Sequence, residues 1–232
     1  MSLVPSLTEA VAETLPGILV GATDWCTHPA GLDVARIGGP KNPDLDAVVG
    51  LDPGLVIADQ EENLREDVER LRSAGLPVWV TRIRSLGQAL ASLRRLFGEA
   101  FGVEPAWLGE ARREWGRPAA HPGLRVAVPV WRDPWMWVGS DTYADDLLSR
   151  LGWENVGREL GRRYPGAEVS AVTALRPDLV VLPDEPYPFD RGNGPGAFPG
   201  VRTALLPGRP LFWFGPAMVA ARDAIESLGS AP

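Results

Sequence analysis

Sulfur, imidazole and ammonium groups are scarce in this 232-residue chain. Its one cysteine, Cys26, excludes an internal disulfide. The two histidines, His28 and His121, are too few for a site built from imidazoles. A zinc or manganese ion would need Cys26 and His28 to be joined by Asp24, Asp59 or Glu61, so no metal site is expected. Nor does Cys26 with His28 make a nucleophile and base: two residues apart on an extended loop they share no defined direction, and no oxyanion device accompanies them. Lys41 is the sole lysine, and with a net charge of -7 and a pI near 5.0 the chain lacks the basic surface that nucleic acid or an anionic membrane would require. No apolar run approaches the roughly 20 residues of a membrane-spanning helix, and no basic-then-apolar leader is readable before Ser2. As written, the expected location is cytoplasmic, with export and membrane association if the true start lies upstream.

Apolar residues are plentiful instead, at 45%, enough for a substantial core. The middle stretch, residues 85–115, organises the rest. Leu86, Ala89, Leu90, Leu93 and Phe97 recur at helical spacing, with Gln88, Ser92, Arg94, Arg95 and Glu99 between them. A second helical piece follows Gly102, with Pro105 in its first turn, and stops at Gly116 and Pro118.

On either side, strand and helix signals alternate. Before the middle stretch the pattern predicts a strand ending at Leu3 and Val4, then a helix over 7–14 capped by a Ser6/Glu9 box. It continues with a strand over 18–22, a helix over 44–51, a strand over 55–58, a helix over 61–74 ended by Gly75, and a strand over 78–81. After it come a strand over 124–130, helices over 141–151 and 168–175, strands over 179–182 and 202–206, and a terminal helix over 216–228. The expected architecture is α/β: two Rossmann-like lobes, 1–84 and 119–232, joined by a central backbone helix within a linker over 85–118, with a ligand cleft between the lobes. LDPGLVIAD and LRPDLVVLP match at an offset of about 124 residues, and LVP meets AVP at the same offset. Two matches at one offset favour a duplicated lobe, and open α/β sheets place ligands beyond their strand ends.

The segments SLVPSLTEAV, VGATDWCTHP, GGPKNPDLDAV, LDPGLVIADQEEN with PVWVT, VWRDPWMWVGSDT and LPDEPYPF stand in this order, split by the central helix. Together they resemble the helical-backbone (class III) substrate-binding proteins of ABC importers for vitamin B12 and iron chelates, and most closely the cobalamin-binding branch. The resemblance implies a non-catalytic, monomeric binding protein with no cofactor of its own, a large planar ligand such as a cobalt corrinoid, and an ABC permease as partner. Siderophore and haem remain alternative ligands, although anionic chelates would call for cleft cations and only Arg132 and Arg191 lie in suitable loops. A cytoplasmic corrinoid-handling enzyme or chaperone on the same scaffold is a further alternative.

Nine tryptophans give the site its candidates. By resemblance Trp25, Trp131, Trp135 and Tyr164 fall at ligand-facing positions, with Asp133 between the two second-lobe indoles. Tyr187 and Phe189 follow a strand end and should point into the cleft, and Trp213 completes the aromatic set. His28 is expected to meet the ligand's metal centre or an amide, and Asp59, with Glu61 and Glu62, to accept from amides at the cleft mouth. For Trp25, packing over the core is an equally good reading. Trp79, Trp107, Trp115 and Trp153 are expected in the core. Asp46 matches an importer-docking carboxylate, whereas its second-lobe counterpart is Ser170, with Glu168 nearby. The lipid-attachment cysteine of exported relatives is not readable near the start. Arg191 and its glycines lack the strand and helix that flank a phosphate loop, and read as flexible rim.

Overall fold

The computed structural model describes residues 1–120 and 122–230; His121, weighed above for a metal site, lies outside them. Two compact units form. One comprises Met1–Ile83, Gln88–Gly109 and Phe214–Pro216, and the other Arg84–Gly87, Glu110–Trp213 and Ala217 onward. The stretch 85–118, expected as a linker, is thus divided between the units.

The first unit begins with Ser2, which bridges in parallel to both Ala22 and Ile57. Helix α1 (Pro5–Thr14) follows at once. Pro5 occupies the first helical position, where its missing N–H is no loss and its fixed φ is already helical. That choice overturns the expected Ser6/Glu9 capping box: Val4 is the N-cap, and Ser6 and Glu9 are buried within the helix. The predicted strand over 18–22 contracts to β1 (Gly21–Ala22), because Ile18 and Val20 lie at the surface. Strand β2 (Ala35–Arg36), the hairpin β3 (Gly38–Gly39) and β4 (Asn42–Pro43), and helix α2 (Leu45–Gly50) come next. Asp44 caps α2 by accepting from the Ala47 N–H at 3.0 Å.

Strand β5 (Val56–Asp59) is buried at every position. Helix α3 (Arg65–Ser73) starts later than its sequence pattern suggests, and strand β6 (Val78–Thr81) closes the sheet. The delay has a local cause: Asp59 and Asn63 fold residues 59–63 into a hydrogen-bonded turn, the Asp59 N–H donating to Asn63 Oδ1 at 2.9 Å. The strand order is β2, β1, Ser2, β5, β6, all parallel. Leu3, Ile37, Val48, Val56 and Leu71 pack beneath it, each fully buried side chain contributing about 1.5–3 kcal/mol.

Helix α4 (Leu86–Arg95) ends in a π-helical turn over Leu96–Ala100, which the sequence pattern does not reveal, and α5 (Ala106–Glu114) follows. In the first unit Phe97 meets Trp107 edge-on at 5.7 Å, and the Trp107 indole donates to Thr14 Oγ1 at 3.0 Å.

In the second unit the predicted strand over 124–130 breaks at Val128 into β7 (Arg125–Ala127) and β8 (Pro129–Trp131), the latter pairing antiparallel with β9 (Met136–Trp137). Helix α6 (Tyr143–Arg150), capped by Thr142, leads to β10 (Glu154–Asn155), α7 (Val169–Ala174), β11 (Leu179–Pro183) and β12 (Thr203–Leu206). The sheet runs β10, β7, β11, β12 in parallel. A short helix α8 (Arg209–Phe212), not anticipated, precedes α9 (Ala217–Ser230).

One buried cation secures the second unit. The Arg222 guanidinium is fully buried and donates to the carbonyls of Glu114, Arg117 and Pro118 at 3.1, 2.8 and 2.6 Å and to Glu226 Oε1 at 2.9 Å. It satisfies the carbonyls released at the end of α5, where Gly116 and Pro118 stop the helix. Replacing it takes the side-chain donor from the Arg117 and Pro118 carbonyls and leaves Glu226 to the more distant Arg117 guanidinium at 3.8 Å. Arg222→Met is expected to lower the unfolding free energy by about 3 kcal/mol, read as a drop in urea midpoint, with part of the loss recovered when Glu226→Leu removes the stranded carboxylate.

Candidate functional site

The second unit carries a continuous run of rings from surface to core. Trp131, at the end of β8, is 42% exposed and meets the half-buried Tyr187 edge-on at 5.6 Å. Tyr187 touches Phe189 at 4.7 Å, and Phe189 stacks on Trp135 at 5.8 Å with only 13° between planes. Trp135 stacks in turn on Trp137 at 5.7 Å, and Phe198 abuts both indoles edge-on. Trp137 is fully buried, its indole donating to the Ala167 carbonyl at 2.9 Å. The structure therefore brings Trp131, Trp135, Tyr187 and Phe189 together, but with different parts. Trp131 and Tyr187 face outward, whereas Trp135 is half-buried and Phe189 is 3% exposed. Phe189 thus does not project from the surface as expected, because the ring slot beside Trp135 removes its face from water.

Arg132 ties the two loops of this cluster. Its guanidinium lies 5.6 Å from the Trp135 ring centroid, within cation–π range, and its Nη1 donates to the Asn193 carbonyl. Asp133, exposed and at φ +59°, has a carboxylate 3.7 Å from Arg132 Nε. Tyr164 is exposed, with the Arg163 guanidinium 5.6 Å from its ring, on a segment joined to β9 through the Met136–Gly166 bridge. Trp213 is buried at 6% exposure with the Arg209 guanidinium 5.1 Å from its ring, so it packs inside the second unit and is corrected from the ligand set. Arg191 is exposed in the loop whose Asp190 and Asn193 close a tight turn.

The first unit places Trp25 on the loop after β1, 62% exposed. Its indole stands at the surface and is not packed over the core. His28 is half-buried, and its Nδ1 lies 3.1 Å from Thr27 Oγ1. Cys26 is buried between the hydroxyls of Thr8 and Thr23, 3.0 and 3.1 Å from its sulfur. Asp59 is corrected: it is 3% exposed and turned inward, accepting from the Thr81 hydroxyl at 2.7 Å and the Glu61 N–H at 2.8 Å. Asn63 gathers neighbouring strand ends by donating to the Pro40 carbonyl at 3.0 Å and, more weakly, to that of Leu3 at 3.4 Å. Among the described residues no group of three or more His, Cys, Asp and Glu could hold a metal ion, and no helix is long and apolar enough to cross a membrane.

Asp46 is exposed and paired with Arg70 at 2.6 Å, while Glu168 is exposed at the N-cap of α7. Trp115 and Trp153 are buried, and Trp79 and Trp107 are half-buried. The roles of Arg132 and Asn63 were missed in the sequence, because polar side chains that satisfy backbone groups follow no hydrophobic period. Only their position beside Gly- and Pro-punctuated loops could have marked them.

Burial, above all, holds the carboxyls of Asp59 and the half-buried Glu62 above their ordinary pKa. For Asp59 the Thr81 and Glu61 hydrogen bonds oppose the shift; for Glu62 the Asp59 charge adds to it and the Lys41 ammonium opposes it. A carboxyl with a raised native pKa keeps protons that the unfolded chain has released. Its contribution to stability therefore grows as pH falls through the raised value and is complete near the ordinary carboxylate range of about 4. Compared with the wild type, Asp59→Asn/Glu62→Gln should lose that part of the acid-side gain, measured as the difference in Tm between pH 7 and pH 4.

No protein-family model matches the chain. It is 23% identical over 197 residues to a vitamin B12-binding protein of Pectobacterium carotovorum, covering 80% of this chain and 71% of that one. Among solved structures, a periplasmic haem-binding protein of Pseudomonas aeruginosa superposes with a TM-score of 0.83 at 23% identity, covering 100% of this chain and 92% of its own. The periplasmic vitamin B12-binding protein of Vibrio cholerae gives 0.78 at 17% identity, covering 100% and 97%.

Proposed function

We propose that this chain, a member of the helical-backbone (class III) ABC-type substrate-binding protein family, binds a large planar corrinoid of the cobalamin kind without transforming it. The observation that carries the reading is the exposed Trp131, set edge-on against the half-buried Tyr187 and backed by a packed ring stack in the second unit. An exposed indole with packed rings behind it gives an apolar face that loses little rotamer entropy on binding, and apolar contact at about 25 cal/mol per Å² is the main source of affinity for a macrocycle. Taken by itself, the first unit also displays an apolar face suited to a macrocycle, the exposed Trp25 indole, with His28 on the same loop. Asp133 and Tyr164 supply polar edge contacts to the ligand's amide side chains. The curated relative described as vitamin B12-binding supports the corrinoid.

Haem is the second reading, supported by the haem-binding Pseudomonas neighbour. The charge of the loops speaks against it. Haem carries two carboxylates, whereas an acidic residue, Asp24, adjoins Trp25, and Arg132 is already engaged with the Asn193 carbonyl and the Trp135 ring. Corrinoid amides donate hydrogen bonds, which suits acceptors.

Work outside the cytoplasmic membrane, in partnership with an ABC permease, fits the periplasmic relatives and replaces the cytoplasmic expectation. Asp46 and Glu168 are the carboxylates offered to that permease. The exposed Asp46–Arg70 pair contributes at most about 1 kcal/mol, so an incoming arginine can displace it. We read the functional form as a monomer.

Titration with cyanocobalamin is expected to quench tryptophan fluorescence and shift the corrinoid's visible spectrum at micromolar concentrations. Trp131→Ala should weaken binding about thirtyfold, the value of a central aromatic contact worth about 2 kcal/mol. Silence of both signals at tens of micromolar, with haemin binding in their place, would transfer the site to haem; an unchanged affinity in Trp131→Ala would remove the second-unit wall from the account.

A further inference from the structure

An indole that is 62% exposed normally samples several orientations, yet the loop carrying Trp25 is fastened from both sides. Beneath it, the Cys26 thiol is wedged between Thr8 and Thr23. Above it, one side chain reaches back across the loop. Arg36 Nη1 donates to the carbonyls of Thr23 and Cys26, both at 2.9 Å, and Arg36 Nη2 to that of Leu32 at 3.0 Å. These three acceptors lie on both flanks of Trp25, and a planar guanidinium is the one side-chain group that can span them from fixed positions. The strand β2 that presents Arg36 is itself held in parallel register, Ala35 with Gly21 and Arg36 with Ala22. The Asp24 N–H donates to the Gly38 carbonyl at 2.9 Å. Trp25 Nε1 lies only 3.4 Å from where a Cβ on Gly39 would stand, so the indole rests against bare backbone.

We propose that Arg36 is the positioning residue for Trp25, holding its indole in a preset orientation for the planar ligand; the ligand part of this inference rests on the corrinoid reading above. Pre-organisation of this kind removes the ordering cost that a free indole would meet on binding. Arg36 does not itself touch the ligand. Its effect on affinity therefore passes entirely through Trp25, and the two residues behave as one unit.

Two measurements test this. In protein labelled with 5-fluorotryptophan, the fluorine resonance of Trp25 is assigned by its loss in Trp25→Phe. Arg36→Gln should shift or broaden that resonance and leave those of Trp115, Trp137 and Trp153 in place; an unmoved Trp25 signal overturns the proposal. Should Arg36→Gln disturb every resonance, Arg36→Lys is read instead. It keeps the charge but cannot span three carbonyls, so a displaced Trp25 line supports the positioning role and an unaltered one refutes it.

The second measurement is a cyanocobalamin titration of the wild type, Arg36→Gln, Trp25→Ala and the double variant. Arg36→Gln should weaken binding about fivefold in the wild-type background and not at all in Trp25→Ala. An equal loss in both backgrounds would mean that Arg36 acts generally on the fold, and the positioning role would be withdrawn. If the wild type fails to bind cyanocobalamin, the corrinoid reading falls, while the fluorine spectra still decide whether Arg36 orients Trp25.

Discussion

Trp135 lies between Phe189 and Trp137, and the outer end of the second unit depends on that stack. Three nearly parallel rings, closed edge-on by Phe198, connect the sheet's core to the two loops that Arg132 ties together. Offset stacking of this kind adds about 0.5–1.5 kcal/mol per pair beyond burial, and it fixes direction as well as distance. Tyr187 tilts 49° from Phe189, and Trp131 meets Tyr187 edge-on at 78°. The exposed Trp131 thus has packed rings behind it, in contrast to scattered surface aromatics that need no explanation.

The first unit reaches a similar end by different physics. Around Trp25 the described residues form no ring stack; the order comes from satisfying backbone carbonyls with Arg36 and seating Cys26 between two hydroxyls. Charge-assisted donors to carbonyls are stronger than neutral ones and act at fixed angles. Asn63 does comparable work at the next strand ends, where it keeps residues 59–63 in a turn that draws Asp59 inward. A sheet whose central strands are buried on both faces has only these carboxyl-end loops on which to mount function. The cost of shaping them falls on polar side chains.

That division explains what could be read beforehand. The alternation of buried runs and amphipathic stretches carried the α/β class, and with it β5, β6, β11, α2 and α6: β5 and β11 are continuous buried runs, while α2 and α6 bury apolar residues at helical spacing. Boundaries failed where a local hydrogen bond outweighed the pattern: Pro5 replaced the Ser6 cap, the Asp59–Asn63 turn delayed α3, and Val128 turned its carbonyl to the Val138 N–H and split one strand into two. Trp131 and Trp25 were legible as loop aromatics. The inward turn of Phe189, beyond the end of β11, and of Trp213, at the end of α8, was not, because such positions leave the rotamer undecided and only the neighbouring side chains settle it. Asp59 looked like a mouth carboxylate for the same reason: its partner Thr81 is far along the chain and arrives through strand pairing.

The internal match between the halves is borne by structure as well as by letters. Helix α2, the turn after it and β5 correspond at the same offset to α7, its turn and β11, and the residue after each helix C-cap takes a left-handed conformation: Asp52 at φ +44° and Arg176 at φ +54°. Such a conformation costs an L-residue roughly 1–2 kcal/mol, so its presence at both places reflects one shared turn geometry, held by the prolines that follow. The strand that each turn feeds then ends differently. In the first unit β5 gives way to Asp59, Glu61 and Glu62, and in the second β11 gives way to Asp184, Tyr187 and the ring stack. The repeated part sets where a strand stops. The unrepeated part sets what stands there: in one unit an acidic turn with Asp59 drawn inward, in the other a set of aromatic rings.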